Sequence, residues 1–200
     1  MRRSHFCRIS PHQVGGNVVL GRRVRVAQQH ERIFLDCLGL HGNSLVDEQV
    51  IEALYDASNA GVPIEIVVRG MCALRPGVPG LSANIRVRSI LGRFLEHSRV
   101  FRFVANGEEQ VWIGSADAMH RNLDRRVEAL VKVRDPAVKE ELCKVLTLAA
   151  DPNTSAWELA GDGAWTRRTT DAAGEPLLDY QLTLLKRAAK RSDARTEHHS

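Results

Sequence analysis

The chain contains no apolar run of about 18 residues, so the sequence predicts no membrane span. Its basic start also lacks the apolar stretch of a signal peptide. The four cysteines are far apart, with no CxxC pair and no zinc-like spacing to histidine, which favours free thiols in a reducing compartment. Repeats and low-complexity tracts are missing. These absences predict a cytoplasmic globular protein, and 200 residues are enough to bury the core of one domain.

Lysine is scarce, because 23 of the 28 basic residues are arginine. The planar guanidinium group fits phosphate oxygens in a bidentate way, although genomic base composition can produce the same excess. Charge is also unevenly distributed. Residues 1–35 carry seven Arg against one Glu, residues 36–68 carry six acids and no Lys or Arg, and residues 69–126 carry ten Arg against five acids.

The apolar pattern predicts an α/β fold. Residues 32–43 form a buried strand, Asp47 caps a helix that Gly61 closes, and residues 62–68 form the next strand, so a right-handed parallel crossover is expected. Asn106-Gly107 indicates a hairpin turn. Further predicted elements are strands over 85–90, 99–104, 110–116 and 125–133, a helix starting at 135–136, a small hairpin over 155–168 and a final helix over 177–191.

The predicted domain organisation has three parts. No apolar period holds over residues 1–32, which are expected to be a poorly ordered or atypical N-terminal segment. Residues 33–191 form the folded domain, and residues 192–200 are expected to fray.

The span from Ile90 to Asp117 holds the strongest candidate site. His97 and Arg99 lie two residues apart where a strand is expected to begin, so both should lie on one face. A second apolar run ends in a small polar turn that contains Ser115 and Asp117. An imidazole can accept, donate or carry a phosphoryl group, and a cation and turn dipoles stabilise its charge. The pattern favours phosphoryl chemistry, although structural histidines and turns use the same residues.

Other candidates lie at strand ends or in an arginine run. Arg69 ends a buried strand and should point into the crevice at the sheet edge, where an anion or an internal acid would satisfy it. Asn43 occupies an equivalent edge position. Arg121, Arg125 and Arg126 could line a polyphosphate channel, or form a surface ion-pair network. No set of metal ligands is evident from the sequence.

The motif H-S-R … G-S-A-D is similar to the H-x-K … G-S-x-N signature of the phospholipase D superfold. With the longer strings over 43–101 and 115–128, the chain resembles the C-terminal catalytic domain of bacterial polyphosphate kinase, of the large histidine-phosphorylating type. The likeness runs from about Asn43 to Arg168, more loosely to the end, and is expected to fail upstream of Ile33.

This resemblance implies a phospholipase D-like mixed sheet flanked by helices, and ATP-dependent, reversible extension of polyphosphate with Mg²⁺. Arg69 matches a family arginine that contacts the ATP phosphates. His97 matches the second active-site histidine, which is not the phosphorylated one. The phosphorylated histidine, the magnesium-associated arginines and the adenine-contacting tyrosine belong to the preceding domain and are not found here, and neither is a Mg²⁺ site.

The chain also departs from the family pattern. His41 stands where the family usually has Lys, Ala118 replaces Trp, and His120 replaces Pro or Thr. The resemblance implies a truncated, split or decayed form that needs a complementary domain or a second copy, with ATP and polyphosphate but no nucleic acid as partners. The alternatives are a non-catalytic polyphosphate- or nucleotide-binding module and, less favoured, a self-pairing phospholipase D-like phosphodiesterase.

Overall fold

The computed structural model describes residues 19–20 and 35–197, with side chains over residues 39–191. Within these ranges nine strands and four helices follow one another along the chain. Their bounds are β1 (Val19–Leu20), β2 (Leu35–Gly42), α1 (Glu48–Asn59), β3 (Ile64–Val68), β4 (Ile85–Ser89), β5 (Val100–Ala105), β6 (Glu108–Gly114), α2 (His120–Leu123), β7 (Ala129–Lys132), α3 (Pro136–Ala150), β8 (Ala156–Leu159), β9 (Trp165–Arg168) and α4 (Tyr180–Glu197).

All nine strands join one mixed sheet in the order β1-β7-β6-β5-β2-β3-β4-β8-β9. The central strands β2, β3 and β4 are parallel, and every other neighbouring pair is antiparallel. The parallel pairing of β2 with β3 through α1 is the crossover connection that the strand–helix–strand order predicts. The α/β class, with a mixed sheet between helices, is therefore confirmed.

Helix α1 is flanked by the two residues that the sequence indicates, Asp47 before it and Gly61 after it. Asp47 is its N-cap, and the Asp47 carboxylate accepts a hydrogen bond from the Val50 backbone N–H at 3.1 Å. Gly61 follows the last turn with φ +90°, a backbone conformation that favours glycine. The Gly61 N–H donates to the Ser58 carbonyl and the Val62 N–H to the Ala57 carbonyl, which is the Schellman pattern.

Helices cover both faces of the central strands. On β3, Ile64, Ile66 and Val68 point to the face covered by α1, where Leu54 packs against them. Val67 points to the other face, among residues of α3 and α4. Because strand side chains alternate between faces, burial on both sides explains why the last three residues of β3 are all apolar, whereas Glu65, near the start of the strand, is partly exposed and pairs with Arg86.

Two elements differ from the sequence prediction. The hairpin of β8 and β9 is not separate, because β8 pairs antiparallel with β4 and extends the main sheet. Helix α2, a single turn after the G-S-A-D motif, was not predicted. The predicted Asn106-Gly107 turn joins β5 and β6, and both residues have positive φ, at 53° and 76°, as a two-residue hairpin requires.

The structure tests the predictions for the two chain ends only in part. Apart from β1, the N-terminal segment 1–32 lies outside the described residues. The backbone of α4 is helical through Glu197, and fraying of residues 192–200 stays a prediction. No helix in the described part of the chain is long and apolar enough to cross a membrane.

Candidate functional site

One edge of the sheet collects most of the candidate side chains. Strands β2, β3 and β6 end at this edge, so the residues that follow them, Asn43, Arg69 and Ser115, emerge side by side. Strand β5 runs antiparallel to both β2 and β6, with Val100 opposite His41 and Ile113. The segment before β5 therefore meets the same edge. The sheet topology thus explains why residues distant in sequence converge.

A cavity of about 490 Å³ opens at this edge and is called the recess below. Four of its ten lining residues are arginines, against two carboxylates, so its formal charge is positive even with neutral histidine. Every candidate from the sequence except Arg125 contributes to its wall; Arg125 is exposed and lies outside it. The lining residues are Asn43, Arg69, His97, Arg99, Ser115, Asp117, Arg121, Asn122, Arg126 and Glu128.

Arg99 and Asp117 form a bidentate ion pair in the floor of the recess. Arg99 Nε and Nη2 donate to the two Asp117 carboxylate oxygens at 3.0 and 2.9 Å. Burial alone would raise the pKa of Asp117, but hydrogen bonds from Arg99 and Asn43 outweigh it and hold the pKa below its ordinary value. Because its guanidinium is neutralised in this way, Arg99 is better suited to position the site than to clamp a phosphate.

Asn43 links this ion pair to Arg69. The Asn43 backbone N–H and side-chain amide donate to the Asp117 carboxylate at 3.1 and 3.3 Å. The Asn43 side-chain oxygen in turn accepts from Arg69 Nη2. Among the described residues Arg69 Nε is buried without a hydrogen-bond partner. The guanidinium of Arg69 is therefore oriented from one side and keeps hydrogen-bonding capacity that the surrounding protein does not use.

Two further lining residues are Asn122, which belongs to the arginine run noted in the sequence, and Glu128, to which the sequence pattern gives no role. The Asn122 side-chain amide donates to one Glu128 carboxylate oxygen at 2.7 Å, and Ser115 Oγ donates to the other. Ser115 Oγ also accepts from the Ala129 N–H at 3.1 Å. Both residues lie within the string 115–128 that carries the family resemblance. Asn122 lies on the single turn of α2, which is too short to give a periodic apolar signal. Glu128 is positioned by its hydrogen bonds with Asn122 and Ser115.

The structure corrects the backbone expected around His97. Strand β5 starts at Val100, so His97 and Arg99 precede the strand in irregular backbone and do not alternate along it. Gln181 of α4 explains the difference. Its amide accepts from the Phe94 N–H at 2.8 Å and donates to the Phe94 carbonyl at 2.8 Å and to Glu96 at 2.6 Å. The segment is thereby held toward α4, and His97 remains exposed at the rim of the recess.

The recess does not fit a Mg²⁺ ion held by protein ligands. Its carboxylates, Asp117 and Glu128, both accept hydrogen bonds from protein donors. Mg²⁺ prefers oxygen ligands in near-octahedral geometry and keeps several waters. Four surrounding guanidinium groups disfavour a cation further. The wall is suited to an anion.

Comparison with known proteins identifies the family. The model of the polyphosphate kinase C-terminal domain 2 matches residues 19–177. Curated relatives named polyphosphate kinase include one from Streptomyces coelicolor, 58% identical over 154 residues, and one from Mycobacterium avium, 49% identical over 179 residues. These alignments cover 77% and 90% of this chain, but 21% and 24% of the relatives. The crystal structure of polyphosphate kinase from Porphyromonas gingivalis superimposes with a TM-score of 0.72 at 34% identity, over 79% of this chain and 24% of that one.

The chain belongs to the polyphosphate kinase C-terminal domain 2 family. The match begins at residue 19, so the expectation that the likeness fails upstream of Ile33 was wrong. The chain spans between a fifth and a quarter of the length of these relatives.

Proposed function

We propose that this chain supplies one side of a polyphosphate kinase active site, and that the recess binds phosphate groups of ATP or polyphosphate. The observation that carries the proposal is the positive recess at the sheet edge. Arg99 is neutralised by Asp117, but Arg121 and Arg126 form no ion pair among the described residues, and Arg69 is paired only with the neutral Asn43. An anion would be bound by Arg69, Arg121 and Arg126, since guanidinium groups match phosphate oxygens in pairs.

Arg69 is the residue we expect to contribute most to phosphate binding. It is oriented by Asn43, and its buried Nε has no acceptor among the described residues. Phosphoryl transfer depends mainly on positioning and on stabilising charge on the equatorial oxygens. A fixed guanidinium performs both tasks, because it needs little reorganisation when charge moves.

His97 would act at the mouth of the recess. Its side chain is exposed, and its backbone carbonyl accepts from Arg99 Nη1 at 3.1 Å, which ties it to the Arg99–Asp117 pair. A ring N–H of an imidazole can donate to an oxygen, so His97 is suited to donate to an oxygen of the phosphoryl group in transfer. The resemblance assigns the phosphorylated histidine to another domain, so turnover is proposed to require a complementary domain.

The test compares ATP-dependent polyphosphate synthesis by the chain alone and by the chain mixed with a curated relative whose matching C-terminal segment has been deleted. We expect little synthesis from either component alone and clear synthesis from the mixture. Replacing His97 with Ala in this chain should abolish the gain. Synthesis by the chain alone at the rate of a full-length relative would contradict the proposed division of the site.

A second candidate is a module that binds polyphosphate or nucleotide without turnover. This second candidate is favoured by the position of His97, which is exposed to solvent and is the one histidine among the described residues that line the recess. In this case the mixture would stay inactive, polyphosphate would still bind, and binding would survive His97→Ala but be lost on Arg69→Ala. A cytoplasmic location, and ATP and polyphosphate as partners, belong to the proposal under either candidate.

A further inference from the structure

A histidine and three carboxylates meet on α2 and α1, apart from the residues that line the recess. His120 Nδ1 lies 3.2 Å from Asp47 Oδ2 and 3.5 Å from Asp124 Oδ2. His120 Nε2 lies 2.6 Å from Glu48 Oε2. None of these four residues lines the recess. The cluster is therefore a second concentration of chemical groups.

The arrangement around Nδ1 calls for either a hydrogen-bond donor or a cation. Two carboxylate oxygens face this nitrogen, and a lone pair directed at them would be repelled. Either a proton on Nδ1 or a metal ion between the three atoms removes the repulsion. For a first-row ion with bonds of about 2.1 Å, neighbouring ligand atoms lie about 3.0 Å apart in octahedral geometry and about 3.4 Å apart in tetrahedral geometry. The distances of 3.2 and 3.5 Å fall close to this range.

The second ring nitrogen of His120 also lies next to a carboxylate. Histidines that bind metals through one nitrogen commonly donate the other N–H to a carboxylate, which fixes the tautomer and the ring orientation. Glu48 Oε2 lies 2.6 Å from His120 Nε2, within reach of this role. With the proton on Nε2, Nδ1 is the nitrogen left to bind a metal, 3.2 Å from Asp47 Oδ2 and 3.5 Å from Asp124 Oδ2.

Asp47 is held in place before any ion binds. Its side chain is 8% exposed, and its Oδ1 caps α1 by accepting from the Val50 N–H, so Oδ2 is left facing His120. The Val46 and Asp47 N–H groups both donate to the Ala118 carbonyl, at 2.9 and 3.0 Å. This fixes the start of α1 against the segment that leads into α2. A buried, positioned carboxylate oxygen with a ring nitrogen opposite it is a prepared ligand pair.

We propose that His120 Nδ1, Asp47 Oδ2 and Asp124 Oδ2 bind a divalent first-row transition-metal ion of the Zn²⁺ type, with water completing its coordination. One imidazole and two carboxylates suit Zn²⁺, whereas Mg²⁺ disfavours an imidazole ligand. The site stands apart from the proposed phosphate-binding function, because it neither uses recess residues nor needs turnover.

An ion here would stabilise α2, which also carries two recess residues. His120 and Asp124 lie at the two ends of this single turn, joined by the Asp124 N–H donating to the His120 carbonyl at 2.8 Å. Arg121 and Asn122 lie between them and line the recess. A bound ion would cross-link this turn to α1 and so restrict the positions of Arg121 and Asn122.

The test is titration of the purified full chain with ZnCl₂, under reducing conditions, by isothermal calorimetry, and with CoCl₂ by visible absorption. Other histidines and cysteines of the chain can also bind zinc. The zinc bound at this site is therefore measured as the difference in stoichiometry between the unmodified chain and a variant. We expect His120→Asn to bind one equivalent fewer than the unmodified chain, and Glu48→Gln to weaken that equivalent about tenfold. Zn²⁺ should raise the melting temperature of the unmodified chain more than that of His120→Asn, and MgCl₂ should not.

His97→Asn is the matched control, because it removes another exposed histidine and should leave the zinc stoichiometry unchanged. If circular dichroism shows that His120→Asn is unfolded, Asp124→Asn replaces it with the same expectation. Equal stoichiometry and affinity in the cluster variants and the unmodified chain would overturn the proposal. That result would mean that His120 only pairs with the neighbouring carboxylates and binds no metal.

Discussion

At the scale of single residues, His41 makes the stability of the fold depend on pH. Its imidazole is 1% exposed, its Nδ1 has no hydrogen-bond partner among the described residues, and it packs edge-on against Tyr180. Burial lowers the pKa of His41 from 6.5 to about 4. The unfolded chain therefore binds this proton before the folded chain does. Stability from the neutral imidazole is present above pH 6.5 and is lost as the pH falls toward 4.

We expect the free energy of unfolding to fall by about 2 kcal/mol between pH 7 and pH 5 from His41 alone. Urea unfolding at the two pH values measures it. In His41→Leu this part of the pH dependence should vanish, whatever the stability of the variant at pH 7. His97→Gln, which removes an exposed histidine, should keep it. An equal loss in the unmodified chain and in His41→Leu would refute the assignment.

The Arg99–Asp117 pair is the second residue-scale feature with a measurable consequence. Their side chains are 11% and 2% exposed, so removing one partner leaves a charge that water solvates poorly. Arg99→Met or Asp117→Asn should each cost about 2 to 4 kcal/mol of stability. A double-mutant cycle by urea unfolding should give a coupling above about 1 kcal/mol. Strict additivity would show that the pair does not act as a unit.

At the scale of elements, Arg88 joins β4 to the end of α3. Its guanidinium is buried and donates to the carbonyls of Ala149, Asp151 and Thr154 at 3.1, 2.5 and 2.7 Å. Arg88→Met would leave these acceptors at the helix C-terminus without their cation, at a cost of about 2 to 4 kcal/mol. Arg86→Met, on the same strand but exposed and paired with Glu65, should cost less than about 1 kcal/mol. Thermal or urea unfolding of both variants checks this difference; equal losses would contradict it.

Gln181 is predicted to control the segment that carries His97. Its side chain makes three hydrogen bonds to Phe94 and Glu96, and water would have to replace them in Gln181→Ala. Hydrogen exchange of residues 94–97 should then speed up while exchange in β5 stays unchanged. Gln110→Ala, on β6, should alter neither region. Unchanged exchange at 94–97 in Gln181→Ala would mean that other contacts hold this segment.

The parts of the fold that could be predicted from the sequence are those with local signals. The apolar runs of β2 and β3, the cap at Asp47 and the Asn106-Gly107 turn are local signals, so these features are predictable from short windows. The pairing of β8 with β4 and the backbone around His97 involve side chains far away in sequence, Arg88 and Gln181. Such contacts are not visible in a local pattern.

The candidate site was predictable in its residues but not in their pairing. Arg69, His97 and Arg126 line one recess because they lie next to the ends of strands that share an edge, and Arg121 joins them on α2, the short helix that follows β6. The role of Arg99 could not be read from the sequence, since a guanidinium next to an anion site and one paired with an internal acid look alike. Arg125 and Arg126 show the same limit. They are adjacent in sequence, but only Arg126 lines the recess, and the sequence pattern does not distinguish them.

At the scale of the whole molecule, the recess is proposed to bind phosphate groups through Arg69 and its neighbours. The most direct measurement is polyphosphate binding by the unmodified chain, Arg69→Ala and Arg125→Ala, at several salt concentrations. We predict that binding weakens as salt rises, that Arg69→Ala loses affinity at least about tenfold, and that Arg125→Ala, outside the recess, stays within about twofold. Equal affinities for the two variants, or binding that salt does not weaken, would show that the recess is not the phosphate-binding site.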